Sequence, residues 1–196
     1  MNRGLQTAAC KCGPDYIDPM FHSRIIGAKS ANLDLHFFSE NTLRYLFAKN
    51  AADRDVSIIE GVMGYYDGLG LTSTKASSYE VAQVTDSPVV LVVNAKGASL
   101  SVLAVIQGFL NFAPKSNIRG VLLNQCSPMA YTALSKAIED RLGVACYGYL
   151  PKMEDRFCFS DLGSERIPII QNCAKGCAGR YAQNYAHLWS ALKIEF

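Results

Sequence analysis

An α/β fold, with a mostly parallel sheet and helices on both faces, is predicted by three features of the sequence. Short apolar runs recur at intervals of roughly thirty residues, each is continuous instead of alternating, and amphipathic helical patterns lie between them. Continuous runs mark strands buried on both faces, as in a parallel sheet covered on each side. The alternation of strand and helix marks a βαβ series, whose crossovers are right-handed.

Taken in order, Thr7 to Cys12 is the first predicted strand, and it runs into Gly13-Pro14-Asp15-Tyr16-Ile17-Asp18-Pro19. Ser39 is a good N-cap for a helix carrying Leu43, Leu46 and Phe47 at helical spacing. Val56 to Ile59 is the next strand, ending in Glu60 and continuing Gly61-Val62-Met63-Gly64-Tyr65-Tyr66-Asp67-Gly68. A strand from Val89 to Val93 ends at Asn94, and Ser99 to Phe112 reads as a helix through Leu103, Ile106 and Leu110. Gly120 to Leu123 ends at Asn124, Ala130 to Leu142 repeats Leu134, Ile138 and Leu142, and Ala145 to Tyr149 is the last strand of the series. After Pro151 polar and charged residues intervene before a final helix, with Tyr181, Tyr185, Leu188, Trp189 and Leu192 on one core or docking stripe.

Composition narrows the function. With 196 residues, 49% hydrophobic and 18% charged, the chain suits one globular domain and excludes disorder and collagen. A chain of this size buries roughly 70% of its unfolded surface and needs neither disulfides nor a structural metal. A formal net charge of +2 is far from the basic balance of a nucleic-acid binder. The longest apolar run, Pro88 to Val93, falls well short of the roughly 18 residues of a membrane span, and no apolar signal core opens the chain. A cytoplasmic location is expected. Seven cysteines, at 10, 12, 126, 146, 158, 173 and 177, follow no scaffold or metal spacing and read as reduced, semi-buried thiols. His22, His36 and His187 form no HxxxH or HxH pair, so no metal-ligand or triad role is assigned to them. The chain contains neither a GxSxG elbow nor a GxxxxGK(S/T) loop.

In an open parallel sheet, ligands bind beyond the carboxyl ends of the strands. Glu60 stands directly after an apolar run, with Gly61 and Gly64 close behind. It is either a ligand of Mg²⁺, which takes one or two protein carboxylates, or the salt-bridge partner of a neighbouring helix. The glycines favour the first reading, since they let backbone approach a polyphosphate. Asp15 and Asp18 lie three apart, each beside a proline, in a turn opened by Gly13. They orient a metal or substrate, or else they decorate a turn. Asp67, before Gly68, carries the same two readings. Asn124 is a strand-ending turn residue or an amide that reads an adenine edge by donating and accepting together.

The stretches KCGPDYIDPMFH (Lys11 to His22), NLD (Asn32 to Asp34), EGVMGYYDG (Glu60 to Gly68), EVAQVTDSPVVLVVNAKG (Glu80 to Gly97) and GVLLNQ (Gly120 to Gln125) together resemble the cobyrinic acid a,c-diamide synthases. These are glutamine-dependent amidotransferases of cobalamin biosynthesis. The resemblance runs in order from about Lys11 to Pro151, and the pairing of GPDYIDP with EGVMGYYDG is specific to it. Dethiobiotin synthetases and partitioning ATPases share only the sheet and an acidic strand end.

The resemblance implies a P-loop NTPase-like, dethiobiotin synthetase-like fold lacking the P-loop strand and helix. Residues 1–196 are then a partial ATP-binding synthetase domain, with a family-like region of about 11–151, a divergent tail over 152–196, and no glutaminase domain. It also implies ATP and Mg²⁺, phosphorylation of a peripheral corrin carboxylate, and displacement of the phosphate by glutamine-derived ammonia. Asp15, Asp18, Glu60 and Asp67 match the acidic positions around metal and substrate, Asp15 and Glu60 being the metal ligands. Lys11, Gly13, Gly61 and Asn124 match positions on the nucleotide side. The chemistry is coherent, because an acyl phosphate forms between two anions that need a cation to approach each other. Where members of the family carry an RHLGL-like stretch this chain reads FCFSDLGSERIP, so a fragment or a degenerate copy is expected. The implied partners are a corrinoid tetrapyrrole and ammonia from a glutaminase domain, without nucleic acid or membrane, and a homodimer is compatible with them. Competing readings are the hydrogenobyrinic acid and nickel-sirohydrochlorin diamide synthases, and an inactive remnant that only binds.

Overall fold

A computed structural model describes residues 4–152, which divide into two units, 4–87 and 88–152. In the first, β1 (Thr7–Cys12), β2 (Lys29–Leu33) and β3 (Val56–Glu60) form a parallel sheet in the order β2-β1-β3. From β1 the chain enters a short helix, α1 (Ile17–Phe21), which widens into a π-helical turn over His22–Ile26. That turn ends at Gly27, whose φ of 76° is a left-handed conformation open to glycine without a Cβ clash. Helix α2 (Glu40–Ala51) begins at Ser39, which accepts from the Thr42 N–H at 3.3 Å, and α3 (Ser78–Val84) begins at Ser77, which accepts from that of Glu80 at 3.2 Å.

The core of this unit joins Cys10 and Cys12 of β1, Leu33 of β2, Leu43 of α2, and Val81 and Val84 of α3. Leu33 and Leu43 are fully buried, and burial of such side chains stabilises by about 1.5–3 kcal/mol each. The buried Asn50 pins α2 down, its amide donating to the carbonyls of Ala9 at 3.2 Å and Lys29 at 3.5 Å. Helix and two strands are thereby fixed together.

The second unit alternates β4 (Val89–Asn94), α4 (Ser101–Asn111), β5 (Ile118–Asn124), α5 (Pro128–Leu142) and β6 (Ala145–Leu150), with parallel strands ordered β4-β5-β6. Ser127 caps α5 by accepting from the Ala130 N–H at 3.2 Å, with Pro128 in the first helical turn. Val121, Leu123, Ile106 and Ile138 are fully buried.

The parallel α/β class and five of the six strands are as the sequence predicts. Three features differ. Among the described residues the strands are hydrogen-bonded as two three-stranded sheets, one in each unit. Burial on both faces is not met in β3 and β4, which each lie at a sheet edge: Ile58 is 53% and Val92 59% exposed, while Leu91 and Val93 are buried. The four described cysteines, 10, 12, 126 and 146, are free and buried instead of semi-buried. Cys158, Cys173, Cys177, His187 and the predicted final helix lie outside the described residues. Among the described residues no helix is long and apolar enough to cross a membrane.

Candidate active site

The parallel register sets Lys11 of β1 opposite Glu60 of β3, at the carboxyl ends of adjacent strands. Lys11 is only 6% exposed. Its ammonium donates to Asp18 Oδ2 at 2.6 Å, to Glu60 Oε1 at 3.1 Å and to the Gly61 carbonyl at 3.3 Å. Three acceptors thus match its three donor protons. The second carboxylate oxygen of Glu60 is 2.7 Å from Nε2 of the buried His22. Burial by itself would lower the Lys11 pKa, but hydrogen bonds to Asp18 and Glu60, with their charges, outweigh it and hold the ammonium above its ordinary value. The Asp18 and Glu60 side chains are still 35% and 46% exposed, so the constellation faces solvent on one side.

Backbone contacts fix the loop after β1. Gly13, at a φ of 82°, donates to the Leu33 carbonyl at 3.0 Å. Asn32 of β2 donates to the carbonyls of Gly13 and Asp15. Asp15 Oδ1 accepts from the N–H groups of Ile17 at 2.8 Å and Asp18 at 3.5 Å, closing the turn that starts α1. Asp18 then sits in the first turn of α1, within reach of Lys11.

The loop after β3 is held as firmly. A Cβ on Gly61 would stand 3.0 Å from Ser78 Oγ, and that oxygen accepts from the Val62 N–H at 2.9 Å. Asp67 Oδ2 accepts from the Gly64 N–H at 2.8 Å, where a Cβ on Gly64 would lie 2.5 Å from the same oxygen. In the second unit Asn94 and Asn124 are register partners at the carboxyl ends of β4 and β5. The Asn94 amide oxygen accepts from the Lys96 N–H, and that of Asn124 from the Gln125 N–H, each at 3.0 Å.

The structure therefore gathers Lys11, Asp18, Glu60 and Gly61. Gly13 supports the loop, Asp15 bonds to backbone, and Asp67 closes its own turn. Glu60 does pair with a helical neighbour, His22. Among the described residues no hydrogen bond or ion pair joins Asp15 to Glu60, and no group of three His, Cys, Asp or Glu side chains could share a metal ion. Mg²⁺ needs fewer: one or two carboxylates suffice, the rest of its shell being water and phosphate oxygens. The carboxylates available to such an ion are Asp18 and Glu60, on the sides they leave open to solvent and away from the Lys11 ammonium they already share. Sequence reasoning missed His22 because it lacks metal-ligand spacing; its one signal is its place at the end of the stretch from Lys11.

No family profile matches the chain. Curated relatives do. The chain is 48% identical over 143 residues, 72% of its own length, to a cobyrinate a,c-diamide synthase of Caldanaerobacter subterraneus subsp. tengcongensis. It is 42% identical over 174 residues, 88% of its length, to that of Clostridium acetobutylicum, and 36% identical over 169 residues, 86% of its length, to that of Priestia megaterium. These matches span 31%, 38% and 36% of the respective relatives, so the chain spans about a third of the length of each. Every residue of the Lys11 constellation falls in the stretch whose motifs resemble these enzymes, and over its matched length the chain belongs to the cobyrinate a,c-diamide synthase family.

Proposed function

We propose that the chain carries the carboxylate-activating part of an enzyme that amidates the a and c side chains of cobyrinate, using ATP and glutamine-derived ammonia through an acyl phosphate. The observation that carries this reading is the convergence of Asp18, Glu60 and the Lys11 ammonium at the carboxyl ends of β1 and β3. Asp18 and Glu60 would hold Mg²⁺, which supplies the positive charge that lets substrate carboxylate and phosphate approach. Lys11, kept protonated by its two carboxylates, adds a fixed charge at the same place without needing to reorganise. Gly13 and Gly61 leave backbone accessible beside it, and Asp15 keeps Asp18 in position through its Asx turn. Asp67 shapes the loop after β3, and Asn124 is the candidate adenine contact. The substrate is a corrinoid, and the ammonia comes from a glutaminase domain.

A hybrid tests this. The matched stretch of the Clostridium acetobutylicum relative is exchanged for that of this chain, and the product is assayed for amidation of cobyrinate with MgATP and glutamine, amides being counted by mass spectrometry. Conversion to the diamide is expected. A hybrid that folds and binds MgATP but makes no amide, beside an active parent, refutes the proposal.

A further inference from the structure

We infer that His22 is a positioning residue that fixes the orientation of the Glu60 carboxylate, an inference that rests on the amidation reading above. Lys11 alone cannot do this, because its ammonium is shared among three acceptors and touches only one oxygen of Glu60. A carboxylate held at one oxygen swings about its last torsions. With His22 Nε2 at 2.7 Å from the other oxygen, both are tied, to groups on separate elements.

The backbone that carries the imidazole is well anchored. The His22 carbonyl accepts from the N–H groups of Gly27 and, at 2.9 Å, Ala28 across the π-helical turn, an element that recurs at functional sites. The residue is 8% exposed. A carboxylate only accepts, so Nε2 carries the proton of their bond. Nδ1 is buried and has no hydrogen-bond partner among the described residues, where a proton on it would be an unsatisfied buried donor. The site therefore selects the Nε2–H tautomer. As a space-filler, a histidine with a bare buried nitrogen is inferior to leucine or methionine, which bring no polar atom to satisfy. Its use here is orientation of the carboxylate beside it, the role that hydrogen-bonded neighbours play for ligating carboxylates generally.

Two readouts test the inference. In the 196-residue chain, long-range ¹H–¹⁵N spectra of labelled histidine should show His22 as the Nε2–H tautomer, with the hydrogen-bond shift of that Nε2 proton lost in Glu60→Ala. In the active hybrid, His22→Met should lower kcat by about 10–100-fold while the KM for cobyrinate stays nearly constant. His22→Gln, whose amide nitrogen can donate to Glu60, should recover most of it. If His22→Met does not fold, His22→Asn, polar but too short, takes its place with the same expectation. A purely structural role would lower the thermal midpoint and leave kcat of the folded fraction unchanged, which overturns the inference, as does an Nδ1–H tautomer in the wild type. A wild-type hybrid without activity counts against the amidation reading alone, and the tautomer result then decides the fate of His22.

Discussion

Replacing Lys11 with Met keeps the aliphatic stem that fills its buried site and removes only the charge. Asp18 and Glu60 then lose their shared ammonium, which stands 2.6 and 3.1 Å away. Hydrogen bonds to charged groups contribute about 1.5–3 kcal/mol each when buried. These carboxylates are 35% and 46% exposed, so water recovers part of the loss, and the net destabilisation should be about 1–3 kcal/mol. For a chain of this size about 1 kcal/mol corresponds to a midpoint shift of roughly 2–4 °C, which gives a fall of roughly 2–12 °C. Circular-dichroism melting at pH 7 measures it. A double-mutant cycle with Glu60→Gln adds a sign: in the Lys11→Met background, removing one of the two carboxylates that have lost their shared ammonium should destabilise less than in the wild type, or stabilise, with a coupling of about 1–2 kcal/mol. A Lys11→Met midpoint within about 1 °C of wild type, with additive double-mutant effects, would falsify the claim that this ammonium organises the site.

Four further outcomes are expected. In the active hybrid, Glu60→Gln should abolish amide formation with the fold intact, because it removes an anion from the reacting region and no core packing; unchanged turnover, or unfolding, would make Glu60 a structural partner only. The pKa of Lys11 is raised above 10.5, so its stabilising contribution is complete below that pH and disappears as pH climbs through the folded-state value; Lys11→Met should lack this alkaline loss in pH-dependent urea unfolding. Burial pushes the Cys12 and Cys146 thiols up to about 11, so at pH 8 iodoacetamide should label them only as the chain unfolds, and fast labelling of native protein would contradict their placement. Without a GxxxxGK(S/T) loop the chain forgoes at least three phosphate hydrogen bonds of about 1.5–3 kcal/mol each, some three to six orders of magnitude in affinity; micromolar MgATP binding by calorimetry would show that another loop does that work.

What was legible in the sequence depended on how strongly burial shaped it. Strands β4, β5 and β6 announce themselves because they are almost wholly apolar, and Thr7 to Cys12 matches β1 at both ends. Strand β2, KSANL, gave no apolar run because it is an edge strand whose polar side chains sit half in solvent, and its Asn32 works on the neighbouring loop. Helix α3 is seven residues long, too short for a helical period to stand out, and only its cap Ser77 hints at it. In each unit, strand ends located polar residues through a topological rule: Glu60 in the first, Asn94 and Asn124 in the second. No such rule ranks Asp18 above Asp15: two aspartates in one turn are equivalent as letters, and only the helical start of α1 decides which one reaches Lys11. His22 was missed for the same reason, since its partner lies 38 positions away and no local spacing encodes that contact.

The exposed apolar faces of β3 and β4 bear on how any of these measurements is made. Among the described residues each strand borders its sheet and shows water a large aliphatic side chain, Ile58 on one and Val92 on the other. Such an edge can template pairing with another molecule. Association then competes with unfolding, and a midpoint measured on a dilute sample reports a different equilibrium from one measured on a concentrated sample. Wild type and variant should therefore be compared at the same protein concentration.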